Sequence, residues 1–231
     1  MGRLPWQSDA MIPCTAADVA SRLAAVRGRV EAVERAWTHA VEVVAVTKGF
    51  PEDAVAAAAE AGCRSIGENY AQDLLLKEDV IEATGVDVHF IGRLQSNKVR
   101  QLAHLVTVWA TIDRVSLIDE VAKRVPGGKI LLQVNATGEE QKGGCRPADV
   151  PVLLERACAM GLDVRGLMTV GPTGGSPEVA RRTFQTVRGL FDDYGLEVCS
   201  MGMSGDLDIA IECGSTEVRI GSALFGQRPA R

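Results

Sequence analysis

No two cysteines in this sequence stand in a C-x-x-C spacing, and no G-x-G-x-x-G follows the first apolar run. The first absence removes the common thiol-redox and structural-zinc signatures. The second removes the dinucleotide fingerprint of an open doubly wound sheet. The three histidines, His39, His89 and His104, have no metal-ligand spacing, so no metal is expected. Basic charge is not in surplus: 25 Lys and Arg against 30 Asp and Glu leave a net charge of −5. A chain of that balance has no spare patch to meet phosphates in bulk, which argues against nucleic acid and membrane surfaces. No run approaches the roughly 20 apolar residues that span a bilayer. The start, MGRLPWQSDAMIPC, lacks a continuous apolar core, so no signal peptide is read there. Trp6 stands where a myristoylation signal places Ser or Thr. The cysteines, Cys14, Cys63, Cys145, Cys158, Cys199 and Cys213, lie mostly in apolar patterns. They read as buried reduced thiols of a cytoplasmic protein.

What is present is a steady alternation. Hydrophobic residues make up 46% of the 231, enough for a substantial core. β-Branched runs stand at 41–47 (VEVVAVT), 64–68 (RSIGE), 86–92 (VDVHFIG), 105–112 (LVTVWATI), 129–135 (KILLQVN), 162–170 (LDVRGLMTV), 196–202 (LEVCSMG) and 217–221 (EVRIG). Between them the pattern predicts helices near 51–62, 70–84, 96–104, 114–125, 147–161, 177–195 and 205–214. Gly62, Gly161, Gly195 and Gly214 follow four of these, where a helix C-terminus wants glycine. A further helix is expected over 15–38, with Thr15 as N-cap ahead of Asp18 and a Leu23, Val26, Val30, Val33 stripe. Eight strands alternating with helices over about 190 residues predict a closed, TIM-type (β/α)8 barrel. The N-terminal helix would replace the one missing after the eighth strand. No linker divides the chain, so the reading is an extension over 1–14 and one domain over 15–231.

In such barrels chemistry sits at the carboxyl ends of the strands. Polar and glycine residues gather there: Thr47-Lys48, Gly67-Glu68-Asn69-Tyr70, Gly92-Arg93-Leu94-Gln95, Ser204-Gly205-Asp206 and Gly221-Ser222. Lys48 ends the first strand, walled by Val44 and Val46. Partial desolvation would lower its pKa from about 10.4 toward the range where a free amine attacks carbonyls. Alone, it also reads as a snorkelling surface lysine. Phosphate sites in these barrels often use the loops after strands seven and eight. Ser204, at the start of a helix, offers a hydroxyl near free N–H groups, although ordinary N-capping would explain it too. Gly221-Ser222 adds a second hydroxyl and a close backbone approach. A lysine and a phosphate site together describe a pocket for a phosphorylated aldehyde, of which pyridoxal 5′-phosphate (PLP) is the common one. Arg219 lies two positions before Gly221 and faces the same side. Beside a PLP ring it would donate to the pyridine nitrogen; an ion pair with Glu212 or Glu217 is the alternative.

The segments VAVTK (44–48), GENYAQ (67–72), HFIGRLQSNK (89–98), QVNATGEEQKGG (133–144), GLMTV (166–170), MGMSGDL (201–207) and VRIGSALFG (218–226) occur in that order. They closely resemble the pyridoxal phosphate homeostasis proteins, the YggS/PROSC-like family, over about residues 41 to 228. The resemblance implies a single alanine-racemase-type barrel of PLP fold type III, without that enzyme's second β domain. It implies a Schiff base to PLP on Lys48, a phosphate held by Ser204, Gly221 and Ser222, Arg219 at the pyridine nitrogen and Asn69 close to the cofactor. It also implies a role in balancing B6 vitamers and amino-acid pools with no established catalytic activity. Candidate partners are PLP-dependent apo-enzymes, and a monomer is expected. Gly49, Arg93 and Gly205 depart from the family's commoner Thr, His and Ala, and Ser222 replaces a frequent Thr with its hydroxyl kept. The alternative is a PLP-dependent racemase-type enzyme. It needs a second base opposite Lys48, for which the sequence offers Tyr70 and Tyr194, the latter placed away from the strand mouths. A third reading, a phosphate-binding barrel without a Schiff base, leaves Lys48 as an anion clamp.

Overall fold

The computed structural model describes residues 15–227. The expected extension over 1–14, with Cys14, lies outside the described residues. Eight parallel strands close on themselves in sequence order: β1 (Glu42–Val46), β2 (Ser65–Glu68), β3 (Asp87–Phe90), β4 (Val108–Ile112), β5 (Lys129–Gln133), β6 (Asp163–Met168), β7 (Val198–Ser200) and β8 (Glu217–Ile220). The last strand returns to the first, with Val44 opposite Arg219 and Ala45 opposite Ile220. The (β/α)8 barrel read from the alternation is the fold the chain forms.

Strand side chains alternate, and the two faces have separate jobs. Val43, Ala45, Ile66, Val88, Trp109 and Ile220 face outward and pack with the helices in one continuous core. Ala110, Leu131 and Met168 fill a smaller cluster with Ile91, Val108, Val170 and Val198. A Cβ on Gly67 would meet Val44, Val46 and Ile91, so these positions share the barrel interior.

The covering helices are α1 (Ala16–Ala32), α2 (Asp53–Glu60), α3 (Ala71–Leu75), α4 (Glu78–Thr84), α5 (Ser96–Leu102), α6 (Val115–Arg124), α7 (Val150–Ala159), α8 (Pro177–Asp193), α9 (Leu207–Glu212) and α10 (Ser222–Phe225). Thr15 caps α1 in a full capping box with Asp18. Arg29 pairs with Asp208 of α9 at 2.7 Å, and Arg22 donates to the Leu224 carbonyl of α10 at 2.9 Å. The N-terminal helix therefore fills the gap left by the short α10. Gly62, Gly161, Gly195 and Gly214 take φ of +83°, +72°, +58° and +88°, the left-handed turn that ends a helix at low cost only for glycine.

Two elements differ from the sequence reading. The first helix stops at Ala32 rather than 38, because tertiary contacts claim the following residues. Arg35 folds back locally to donate to the Val30 carbonyl, and Trp37 donates to the Glu212 carbonyl and lies under the Arg188 guanidinium, whose Cζ is 4.4 Å from the ring centroid. The stretch 70–84 is two helices, broken at Lys77, whose φ of −107° and ψ of 8° leave the helical range.

Cys63, Cys145, Cys199 and Cys213 are free and buried, as read from their patterns, whereas Cys158 is free and exposed. Burial pushes the Cys145 and Cys199 thiols up to about 12. Among the described residues no helix is long and apolar enough to cross a membrane.

Candidate functional site

Lys48 lies two residues past the end of β1 and is half-buried at the carboxyl mouth of the barrel. Below it on the same face of the strand, Val44 and Val46 are buried. The neighbouring end of β8 lies close: a Cβ on Gly221 would sit 3.2 Å from the Val46 carbonyl and 3.4 Å from the Val46 Cβ. A side chain there would have to displace the Val46 backbone by a few tenths of an ångström.

Ser222 opens α10, and its Oγ stands 3.5 Å from the Oγ of Ser204. The loops after strands seven and eight thus bring two hydroxyls face to face. That separation is too long for a firm bond between them, so each keeps its capacity for a shared acceptor. The sequence placed Ser204 at the start of a helix, but α9 begins three residues later, at Leu207. Asp206 does the local bonding: its Oδ1 accepts from the Met203 N–H at 2.6 Å and closes the turn. The Ser204 hydroxyl is left facing Ser222.

Arg219 projects inward from β8 and is only 4% exposed. It donates to Ser200 Oγ and to the Thr169 carbonyl, both at 2.6 Å. Among the described residues neither glutamate considered from sequence comes within ion-pair distance of Arg219. Glu212 pairs with Arg181 at 2.5 Å, and Glu217 lies 3.5 Å from His89 Nδ1. Burial pushes the Arg219 guanidinium below the ordinary arginine value, with Glu217 and then Asp206 countering it. Two of its five N–H groups are committed, and the rest of the fork remains for an acceptor.

Asn69 follows β2, with its Oδ1 buried and unpartnered among the described residues. Its backbone is pressed from behind, because a Cβ on Gly92 would overlap the Asn69 carbonyl. Asn69, Tyr70, Phe90, Arg93 and Lys98, from the segments at the ends of β2 and β3, bound a cavity of about 290 Å³. The serine pair lies on the other side of β1. Tyr70 is 44% exposed at this rim, while Tyr194 ends α8 at the opposite end of the barrel, as its sequence position indicated.

Sequence reasoning places Thr47 and Glu68 among the polar residues of the mouth but misses two sets of contacts. Ser200, the last residue of β7, and Thr169, the residue after β6, hold Arg219, and nothing local marks that contact. Thr47, Glu68 and Lys77 form a buried polar cluster on the outer face of β1 and β2. Burial raises the Glu68 carboxyl above its ordinary value, against the pull of the Lys77 ammonium and the Thr47 hydroxyl. A signal for this cluster existed: a carboxylate on a strand position covered by helices needs a cation on the covering element.

With this geometry in place, a family model described as "Alanine racemase, N-terminal domain" matches residues 21–229. A pyridoxal phosphate homeostasis protein from Pseudomonas aeruginosa is 38% identical over 220 residues, covering 91% of this chain and 96% of its own. The chain belongs to the pyridoxal phosphate homeostasis protein family. The structure of PipY from Synechococcus elongatus, solved with PLP bound, superposes with a TM-score of 0.79 at 28% identity. It covers 90% of this chain and all of its own. Alanine racemase from Bacillus anthracis superposes with a TM-score of 0.70 at 16% identity, over 94% of this chain and 57% of the racemase. That last likeness is one of fold alone.

Proposed function

We propose that this chain binds PLP and serves PLP homeostasis, holding the cofactor covalently through Lys48. The observation that carries the reading is the β8–β1 closure. It sets Gly221 against Val46, so that Lys48, the Ser204–Ser222 pair and Arg219 all come from three adjacent strand ends, β7, β8 and β1.

Each residue fits the group it would hold. Ser204 and Ser222 donate to a phosphate, and Gly221 lets the backbone come close to it. Asn69 brings an unpartnered buried oxygen to the cofactor's edge. When bound, PLP supplies an aldehyde that bonds to an amine and a ring that takes up electron density. Arg219 governs the second property. A guanidinium donates to a ring nitrogen and has no proton to give up, so the ring stays a weak electron sink. Arg219→Glu is expected to shift the absorption spectrum of the bound cofactor and its pH dependence, with affinity for the phosphate group largely retained. A spectrum that matches the parent's at every pH would confine Arg219 to tying β8 to β6 and β7.

The same features separate a carrier from a racemase-type enzyme. Racemisation needs a proton delivered from the face opposite Lys48. Tyr194 is at the wrong end of the barrel, and Tyr70 stands exposed at the rim. Missing general acid–base help typically costs about 10²–10⁴-fold in rate. The PLP-loaded protein is therefore expected to exchange the α-proton of alanine in deuterated water no faster than free PLP does. Rapid exchange with inversion, lost in Lys48→Ala, would make the chain an enzyme. The half-buried Lys48 and exposed Ser222 leave the site reachable from solvent, which suits release of PLP to apo-enzymes that require it.

A further inference from the structure

We infer that Lys77 is a positioning residue for this site: a buried clasp outside the barrel that sets the ends of β1 and β2, and with them Lys48 and Asn69. The inference rests on the reading that Lys48 holds PLP.

Lys77 Nζ donates to Glu68 Oε1 at 2.5 Å and to the Thr47 carbonyl at 2.9 Å. The Thr47 hydroxyl donates to the same Oε1 at 2.6 Å. Thr47 and Glu68 are fully buried, and Lys77 is 3% exposed. Thr47 immediately precedes Lys48, and Glu68 immediately precedes Asn69. Side chains on a strand alternate, so Thr47 and Glu68 point outward under the helices as the mouth residues turn inward. One ammonium thus bridges two strand ends, each a single residue from a residue of the site. The clasp touches no ligand and acts through the backbone.

Stability alone does not account for this arrangement. Burying both charges of an ion pair costs about as much as their attraction returns, and apolar residues of similar volume hold a core equally well. Here the cost is visible. Glu68 Oε2 and the neighbouring Asp73 Oδ2 are buried without partners among the described residues. The helix also breaks at Lys77 to bring its amine inward. An apolar side chain would fill the same space and fix neither the Thr47 carbonyl nor the Glu68 carboxylate. Covalent capture is sensitive to such placement, because an error of about 1 Å in a reacting atom can cost about 10²-fold. In that step the Lys48 nitrogen bonds to the aldehyde carbon, and the carbonyl oxygen leaves as water with the two amine protons.

The test uses the double variant Lys77→Met/Glu68→Gln, which removes both charges of the pair together. PLP is titrated in, trapped with borohydride, and its occupancy of Lys48 read by mass spectrometry. Pyridoxine 5′-phosphate, an alcohol that cannot bond to the amine, is titrated in parallel. The double variant should need on the order of tenfold more PLP for half-labelling of Lys48, yet bind pyridoxine 5′-phosphate within about twofold of the parent. Thr47→Val, which deletes one donor and keeps the shape, should show a smaller loss of about threefold and serves if the double variant does not fold. Labelling at the parent's PLP concentration in the variant that folds would overturn the inference. Equal loss of both ligands would do the same, by showing a general structural role. An unlabelled Lys48 in the parent would overturn the PLP reading itself, and the clasp with it.

Discussion

Lys48→Ala is expected to lose all covalently held PLP and the visible absorption that goes with it, while the barrel stays folded. Lys48 sits past the end of β1 and takes no part in the packed interior, where Val44, Ala45 and Val46 are buried beneath it. Removing a half-buried side chain beyond the packed layers leaves no large cavity, so the barrel should stay folded. The phosphate contacts proposed for Ser204, Gly221 and Ser222 would remain, so the variant should still bind PLP, now reversibly and with the spectrum of the free aldehyde. Other lysines near the mouth are poor substitutes. Lys142 is held by Glu139 at 2.7 Å and by the Gly171 carbonyl, and Lys98 reaches toward Gln101. A visible band unchanged in the variant, with reduced PLP mapped to Lys98 or Lys142, would refute the assignment.

The second large effect belongs to the serine pair. Ser204→Ala together with Ser222→Ala is expected to weaken PLP binding by about a hundredfold, more than either change alone. On the proposed reading each hydroxyl would give a hydrogen bond to a charged phosphate, worth about 1.5–3 kcal/mol, and about 3 kcal/mol in all corresponds to that factor. The two oxygens are 3.5 Å apart, close enough to serve one acceptor, so their effects should couple. Titration with pyridoxine 5′-phosphate and with pyridoxine separates the phosphate contribution. The double variant should lose affinity for the first and not for the second. Equal affinity for the phosphate ester in parent and double variant would put the phosphate elsewhere on the rim.

The fold was legible because its determinants are local. Alternating β-branched runs and alanine-rich helices, with glycine one residue past Met160, Tyr194 and Cys213, need no tertiary knowledge to read. What was not legible depends on contacts between distant segments. The first helix is cut short because Trp37 finds Arg188, and 70–84 is broken because Lys77 turns toward Glu68. In the site, the strand ends carrying Lys48, Asn69, Gly221 and Ser222 could be placed by counting. The partners of Arg219 could not, since Ser200 and Thr169 lie 19 and 50 residues away. Ser204 was read as a helix start because Ser and Asp are both good caps, and sequence cannot say which of the two bonds the turn.

The most direct test of Lys48 as the PLP-bearing residue is reduction of the purified protein with borohydride, followed by peptide mapping. The protein is expected to purify yellow, to lose its visible band on reduction, and to yield one modified peptide carrying the reduced cofactor on Lys48. A colourless protein that takes up PLP without any stable adduct, or an adduct on another lysine, would contradict it.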